Sequence, residues 1–169
     1  MENSKKITMG GNPVTLLGNE IKVGMDAPDF TVLDSDLSPV SLSNEKGKTI
    51  IISVVPSIDT SVCAAQTRRF NEYASKLDHV IIYTISVDLP FALGRFCAAE
   101  GIENIKVLSD HKDLDFGMKY GFVMKENRLL ARGIVIVNPE GKVSYVEYVD
   151  EVTTHPDYDK ALEAAKDTL

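Results

Sequence analysis

The chain has no tryptophan, only two cysteines and three histidines, and no long run of hydrophobic residues. A membrane-spanning helix needs about 20 consecutive apolar residues, so the sequence predicts no membrane span. Two thiols cannot supply the ligands of an all-cysteine zinc site, and His79, His111 and His155 form no ligand-spaced pair. We therefore expect no metal centre.

Basic residues are fewer than acidic ones. The 18 lysines and arginines stand against 25 aspartates and glutamates, which gives a formal charge of −7. Nucleic-acid-binding proteins usually present a basic face, and anionic membranes attract basic segments, so neither partner is expected. The N-terminal lysines are not followed by an apolar segment, which predicts no secretory signal and favours a cytoplasmic location.

The sequence does contain enough apolar residues for a well-packed core. Of its 169 residues, 44% are hydrophobic, and a chain of this length buries roughly 68–70% of its unfolded surface. There is no internal repeat, low-complexity tract or long linker. We therefore expect one domain that spans residues 1–169.

Hydrophobic patterning predicts an α/β fold. Two β-branched apolar runs, residues 50–55 and 79–87, flank a segment of helical periodicity, and such runs are typical of strands in a parallel sheet. This unit is predicted to be βαβ, with a right-handed crossover. The remaining pattern predicts further strands at 30–33, 106–108, 133–137 and 143–149, and helices at 90–99, 113–120 and 156–166, the last with Pro156 at its first position. A βαβ half followed by a ββα half around a mixed central sheet is the thioredoxin-like arrangement.

The N-terminal region is predicted to form a small β-hairpin. The dipeptide Gly18-Asn19 separates two short apolar runs, residues 14–17 and 20–23. Gly-Asn is a typical two-residue turn between paired strands.

Cys63 lies where the first buried strand passes into the following helix. The strand ends at Pro56, and Thr60 is predicted to cap the helix, which puts Cys63 at its third position. Unpaired N–H groups and the positive end of the helix dipole favour a thiolate there. An ordinary thiol is only about 3% ionised at pH 7, whereas a pKa near 6 makes it roughly 90% ionised.

Several other residues, when each is considered alone, are explained by ordinary structural roles. Cys97 has apolar neighbours and is typical of a small buried hydrophobic residue. Arg132 is typical of a solvated cation at a strand edge, and Arg68 and Arg69 of a solvated helix face. Thr60 and Pro56 are typical of an ordinary cap and a strand terminator.

The residues from Pro56 through Thr60 to Cys63 resemble the active-site motif of peroxiredoxins. The longer stretch PSIDTSVCAAQTRRFN resembles the bacterial thiol peroxidase subfamily, which consists of atypical two-cysteine peroxiredoxins. The N-terminal GNPVTLLG and the segments 86–101 and 149–162 resemble other parts of that subfamily. The resemblance covers essentially the whole chain.

This resemblance implies a thioredoxin-like fold of the peroxiredoxin type, with an N-terminal hairpin, in a chain that is usually a homodimer. It implies a peroxidase that uses no metal, haem or flavin and that reduces hydrogen peroxide and organic hydroperoxides. By similarity, Cys63 is the peroxidatic cysteine, which becomes a sulfenic acid, and Cys97 resolves it as an intramolecular disulfide that thioredoxin reduces. Thr60 and Arg132 are expected to bind the peroxide, and Pro56 to shield the sulfur.

Two other functions remain to be distinguished. A thioredoxin-like disulfide oxidoreductase normally carries Cys-x-x-Cys at this helix start, but Gln66 stands where the second cysteine would be. A non-enzymatic redox sensor would use a Cys63–Cys97 switch to change a binding surface. Multiple turnover with peroxide separates the enzyme from a sensor alone.

Overall fold

The computed structural model describes residues 1–169 and contains ten strands and four α-helices. The strands are β1 (Glu2–Met9), β2 (Asn12–Leu17), β3 (Thr31–Leu33), β4 (Pro39–Ser41), β5 (Thr49–Val54), β6 (Val80–Ser86), β7 (Lys106–Ser109), β8 (Val123–Met124), β9 (Gly133–Val137) and β10 (Val143–Tyr148). The helices are α1 (Ser61–Ala74), α2 (Pro90–Glu100), α3 (Asp115–Tyr120) and α4 (Tyr158–Lys166), and a 3-10 turn covers Leu42–Glu45. None of these helices combines the length and apolar character needed to cross a membrane.

A seven-stranded mixed sheet forms the centre, in the order β10-β9-β5-β6-β7-β3-β4. Strands β5, β6 and β7 are parallel, and α1 and α2 provide the crossovers between them. Strand β9 runs antiparallel to β5, and β10 antiparallel to β9. The predicted thioredoxin-like α/β fold is confirmed. Every residue of β5 is buried, as its continuous apolar run predicted.

The two faces of the sheet are covered differently. One face packs against α1 and α4 through a cluster of eight buried residues that includes Phe70, Ile136 and Tyr158. The opposite face, together with α3 and the N-terminal strands, forms a cluster of 25 buried residues. Burial of this apolar surface supplies the main driving force for folding. It also fixes the strand ends from which the functional residues project.

An N-terminal hairpin is present, but its predicted boundaries, residues 14–17 and 20–23, are wrong. Strands β1 and β2 pair through Met9 and Asn12 around Gly10-Gly11, and both glycines have positive φ. Strand β1 was missed because its sequence is largely polar, with only Asn3 and Ile7 fully buried. Gly18 instead directly follows β2, at a position where an added Cβ would lie 2.3 Å from the Met118 carbonyl oxygen.

Two helix starts also differ from their predicted positions. Helix α4 begins at Tyr158, and the Asp157 side chain caps it by accepting a 3.1 Å hydrogen bond from the Lys160 N–H. Pro156 therefore precedes the cap instead of occupying the first helical position. Helix α3 begins at Asp115, two residues later than predicted.

The buried carboxylate of Asp110 holds the start of α3. It accepts hydrogen bonds from the N–H groups of Phe116 at 3.0 Å and Gly117 at 2.8 Å, and the residue is only 2% exposed. Burial raises the pKa of the Asp110 carboxyl from 3.8 to about 6, which outweighs the opposing effect of the two N–H donors.

We expect Asp110 to make the folded chain more stable in mild acid. Between about pH 4 and pH 6 the folded chain keeps a proton that the unfolded chain has released, so the free energy of unfolding falls as pH rises. A difference of about two pKa units corresponds to about 3 kcal/mol. Urea unfolding should show that, from about pH 4 to pH 6, the free energy of unfolding falls less for Asp110→Asn than for wild type. Equal pH dependence of the two proteins would contradict this.

Candidate active site

The loop between β5 and α1 carries the candidate nucleophile. Pro56 is buried at the end of the strand, and Thr60 has the extended backbone of an N-cap. The Thr60 Oγ accepts a 3.2 Å hydrogen bond from the Cys63 N–H. Cys63 is therefore the third residue of α1, as predicted, beside the positive end of the helix dipole.

The Cys63 side chain is completely buried and contacts a guanidinium group. Its sulfur accepts a hydrogen bond from Nη2 of Arg132 at 3.2 Å. The helix backbone around it is also fixed, because the Thr67 hydroxyl donates a 2.9 Å hydrogen bond to the Cys63 carbonyl. The sulfur thus has a defined position and a cationic neighbour.

Arg132 directly precedes β9 and is only 2% exposed, so the reading of this residue as a solvated cation is wrong. Its Nε donates to the Val152 carbonyl at 2.7 Å, and its Nη1 donates to Oε1 of Gln66 at 3.0 Å. None of the ion pairs in the structure includes this residue. A buried charge is costly unless it is paired and hydrogen-bonded, and the Cys63 sulfur is the one group bonded to this guanidinium that can carry a negative charge.

The two arginines of α1 do not enter the site. Both are exposed, in agreement with the predicted solvated face. Arg68 forms a surface ion pair with Glu100 at 3.4 Å. Arg69 lies over the ring of Tyr158, with 4.3 Å between the guanidinium carbon and the ring centroid.

Gln66 is a residue of the site that sequence reasoning missed. It is completely buried, and its Nε2 donates a 2.7 Å hydrogen bond to Oγ of Ser53 on β5. Its carbonyl oxygen meanwhile accepts from Arg132. The spacing of three residues from Cys63 puts both side chains on one face of the helix, and this was the available signal.

The N-terminal hairpin supports the carbonyl group that holds Arg132. Thr8 of β1 makes two backbone hydrogen bonds to the segment before α4. Its N–H donates to the Asp150 carbonyl, and its carbonyl accepts from the Val152 N–H. The Glu151 carboxylate accepts from the N–H groups of Gly10 and Gly11 at the hairpin turn. The hairpin therefore fixes the position of Val152.

Cys97 lies on α2, apart from this arrangement. It is half-buried and packs against an apolar cluster formed by Ile58, Leu93, Ile102 and Val107. Burial raises the pKa of the Cys97 thiol, and the nearby negative charge of Asp34 adds to the effect. Both cysteines are free thiols in this structure.

The structure brings Pro56, Thr60, Cys63 and Arg132 to one end of the central sheet, at the carboxyl end of β5. This is where open α/β sheets place their ligands. A thiolate beside a fixed guanidinium and a helix N-terminus is suited to attack a small electrophile. The same donors then stabilise negative charge on the departing atom.

Comparisons with known proteins agree with this arrangement. The Redoxin family profile matches residues 22–162. The chain is 62% identical over 163 residues to a thiol peroxidase of Halalkalibacterium halodurans, covering 96% of this chain and 98% of that protein. It is 58% identical over 161 residues to the thiol peroxidase of Bacillus subtilis, with 95% and 96% covered.

Solved structures show the same fold. A peroxiredoxin-like protein from Aquifex aeolicus matches with a TM-score of 0.93 and 39% identity, over 98% of each chain. A thiol peroxidase from Chromobacterium violaceum matches with a TM-score of 0.88 over 98% of this chain and 97% of that chain. At 20% identity, this second likeness bears on the fold alone.

We expect Gln66→Met to destabilise the protein, because it removes the acceptor for Arg132 Nη1 and the donor for Ser53. An unsatisfied buried polar group costs about 1–3 kcal/mol, so the free energy of urea unfolding should fall by about this amount. Arg68→Met is the control on the same helix, since an exposed ion pair contributes less than about 1 kcal/mol. If the free energy of unfolding falls equally little in both variants, the expected cost of leaving the partners of Gln66 unsatisfied is wrong.

Proposed function

The chain belongs to the Redoxin family and to its thiol peroxidases, and on this premise we propose that Cys63 attacks the hydroperoxide and Cys97 resolves the product. The family supports thiol-dependent peroxidase activity in general. The observation that carries the assignment of Cys63 is its contact with Arg132, a buried guanidinium that has no carboxylate partner.

In the first step, the Cys63 thiolate attacks one oxygen of the hydroperoxide. A sulfur–oxygen bond forms, the O–O bond breaks, and the departing oxygen takes a proton and leaves as water or an alcohol. Cys63 becomes a sulfenic acid. Arg132 Nη2, which already donates to the sulfur, stabilises charge on the reacting oxygens.

Thr60 and Pro56 support this step. Thr60 is exposed, and the only contact in which its hydroxyl donates is a long one, 3.4 Å, to the Ser57 carbonyl oxygen. It is thus available to donate to a bound peroxide while its oxygen continues to cap α1. Pro56 is buried at the strand end and limits access of water to the sulfur.

In the second step, the Cys97 sulfur attacks the sulfenic sulfur and forms a disulfide. Disulfide geometry requires the two Cα atoms to lie within about 7 Å. Since Cys63 contacts Arg132 and Cys97 packs in a separate cluster, we propose local unwinding around one or both cysteines. Reduced and oxidised crystal structures with identical backbones in both segments would contradict this.

We extend the proposal to thioredoxin as the dithiol that reduces the disulfide, and to a homodimer as the assembly, on the strength of the family resemblance. Reduction proceeds by thiol–disulfide exchange. A disulfide oxidoreductase is disfavoured, because Gln66 at the position of its second cysteine holds Arg132 instead.

The test is peroxide consumption with a thioredoxin reducing system, using hydrogen peroxide and cumene hydroperoxide as substrates. Wild type should turn over repeatedly, and Cys63→Ser should be inactive because the nucleophile is absent. Cys97→Ser should react once per Cys63 and then fail to cycle with thioredoxin. One disulfide per chain without turnover would instead indicate a sensor or a different reductant.

A further inference from the structure

The loop that carries the peroxidatic site is fastened to the start of α2 by one carboxylate, that of Asp88. Its Oδ1 accepts from the Ser57 hydroxyl at 2.7 Å, and its Oδ2 accepts from the Ile58 N–H at 2.9 Å. Oδ2 also accepts from the Ser86 hydroxyl at 2.7 Å. Three donors therefore converge on a side chain that the mechanism above does not use.

Asp88 is itself anchored to the central sheet. Its N–H donates to Oγ of Ser86, the last residue of β6, at 3.2 Å. Its carbonyl accepts from the hydroxyl of Ser109, the last residue of β7, at 2.5 Å. Pro90, the first residue of α2, follows two positions later. Asp88 is therefore held by the last residues of two sheet strands, and the loop is bonded to its carboxylate through Ser57 and Ile58.

The hydrogen bonds continue from Asp88 to Cys63. The Ser57 carbonyl accepts from the Thr60 N–H at 3.3 Å, which shapes the turn before α1. Thr60 in turn caps the Cys63 N–H. Release of Ser57 from Asp88 would thus loosen the turn that holds the first residues of α1.

The same loop also contributes to the surroundings of Cys97. The Ile58 side chain is only 3% exposed and belongs to the apolar cluster against which Cys97 packs. The loop therefore lies between the two cysteines, with its backbone bonded to Asp88 and its side chain packed on the helix of Cys97. The proposed disulfide requires the two Cα atoms to lie within about 7 Å, and we expect this segment to rearrange as they approach.

We propose that Asp88 is a positioning residue that holds the loop in the closed, peroxide-reactive arrangement and thereby limits the rate at which Cys97 reaches Cys63. The inference rests on the proposed function, since it concerns the second step of that reaction. In this step the S–S bond forms as the S–O bond of the Cys63 sulfenic acid breaks, and the hydroxyl leaves with the Cys97 proton as water.

Asp88→Asn tests this directly, because an amide has one acceptor oxygen where the carboxylate has two. The donors from Ser57, Ile58 and Ser86 then share one oxygen, or the Ser57 hydroxyl reverses and accepts from the amide; in either case the bonds are no longer made to a charged group. A bond to a charged group is typically worth enough to change an opening equilibrium about tenfold or more. We expect disulfide formation to become about tenfold faster, while the reaction of Cys63 with peroxide changes less than about threefold because most chains remain closed.

The two steps are separated by rapid mixing with one equivalent of hydrogen peroxide, followed by acid quench and intact mass. Sulfenic acid and disulfide differ in mass, so each rate is read independently. A second readout is overoxidation during turnover. Faster resolution leaves less sulfenic acid for a second peroxide, so the sulfinic product formed per turnover should fall about tenfold in Asp88→Asn.

Ser57→Ala is the second variant, which keeps the carboxylate and removes one of its donors, together with the acceptor of a 3.2 Å bond from the Asp59 N–H. It should accelerate disulfide formation less than Asp88→Asn does. In the variant that carries both substitutions, the rate increase should be smaller than the product of the two single increases, because Asp88 and Ser57 share one hydrogen bond. Asp78→Asn is the matched control, because Asp78 is exposed and makes the same charge change away from the loop.

Disulfide formation that is unchanged or slower in both folded variants would overturn the role of Asp88. A slower peroxide step without faster disulfide formation would do the same, since it indicates a merely structural residue. Failure of the proposed function is distinct from these results. In that case wild-type Cys63 would not react with peroxide, or no Cys63–Cys97 disulfide would follow.

Discussion

A single buried guanidinium constrains the rest of this structure. Arg132 is almost fully removed from solvent and has no carboxylate partner, so its N–H donors depend on neutral acceptors and on the Cys63 sulfur. Burial of an arginine is tolerated only when its hydrogen bonds are satisfied. Gln66 and the Val152 carbonyl provide those acceptors and leave Nη2 for the Cys63 sulfur. The bonds of this one side chain thus connect three segments that are distant in sequence: the start of α1, the residue before β9 and the segment before α4.

The N-terminal hairpin gains a functional meaning from this constraint. It packs on the large apolar cluster, but it also bonds through Thr8 and its turn to the segment that presents the Val152 carbonyl. A carbonyl on a short connecting segment would otherwise be free to move. Precise placement of catalytic donors requires support from residues outside the site. Stability of the hairpin and orientation of Arg132 are therefore linked through backbone hydrogen bonds.

The site must also satisfy two opposing demands. Cys63 is completely buried and held beside Arg132, which suits the proposed attack on a small peroxide, whereas the proposed disulfide with Cys97 requires the two Cα atoms to come within about 7 Å. The loop before α1 contacts the surroundings of both cysteines, because Thr60 caps the helix at Cys63 and Ile58 packs beside Cys97. Hydrogen bonds to the fixed carboxylate of Asp88 then set the balance between the closed arrangement and the open one.

The sequence by itself determined the features that depend on a few consecutive residues. The buried β5, the Thr60 cap and the third helical position of Cys63 follow from local patterning and capping rules, and the structure agrees. The position of the hairpin turn did not follow from local patterning, because Gly10-Gly11 and Gly18-Asn19 are both adequate turns. The pairing of β2 with β8 and the hydrogen bonds to Glu151 decide between them. The burial of Arg132 beside a sulfur 69 residues away likewise required the tertiary structure. No local pattern records whether a charged side chain is solvated, since that depends on which distant groups pack around it.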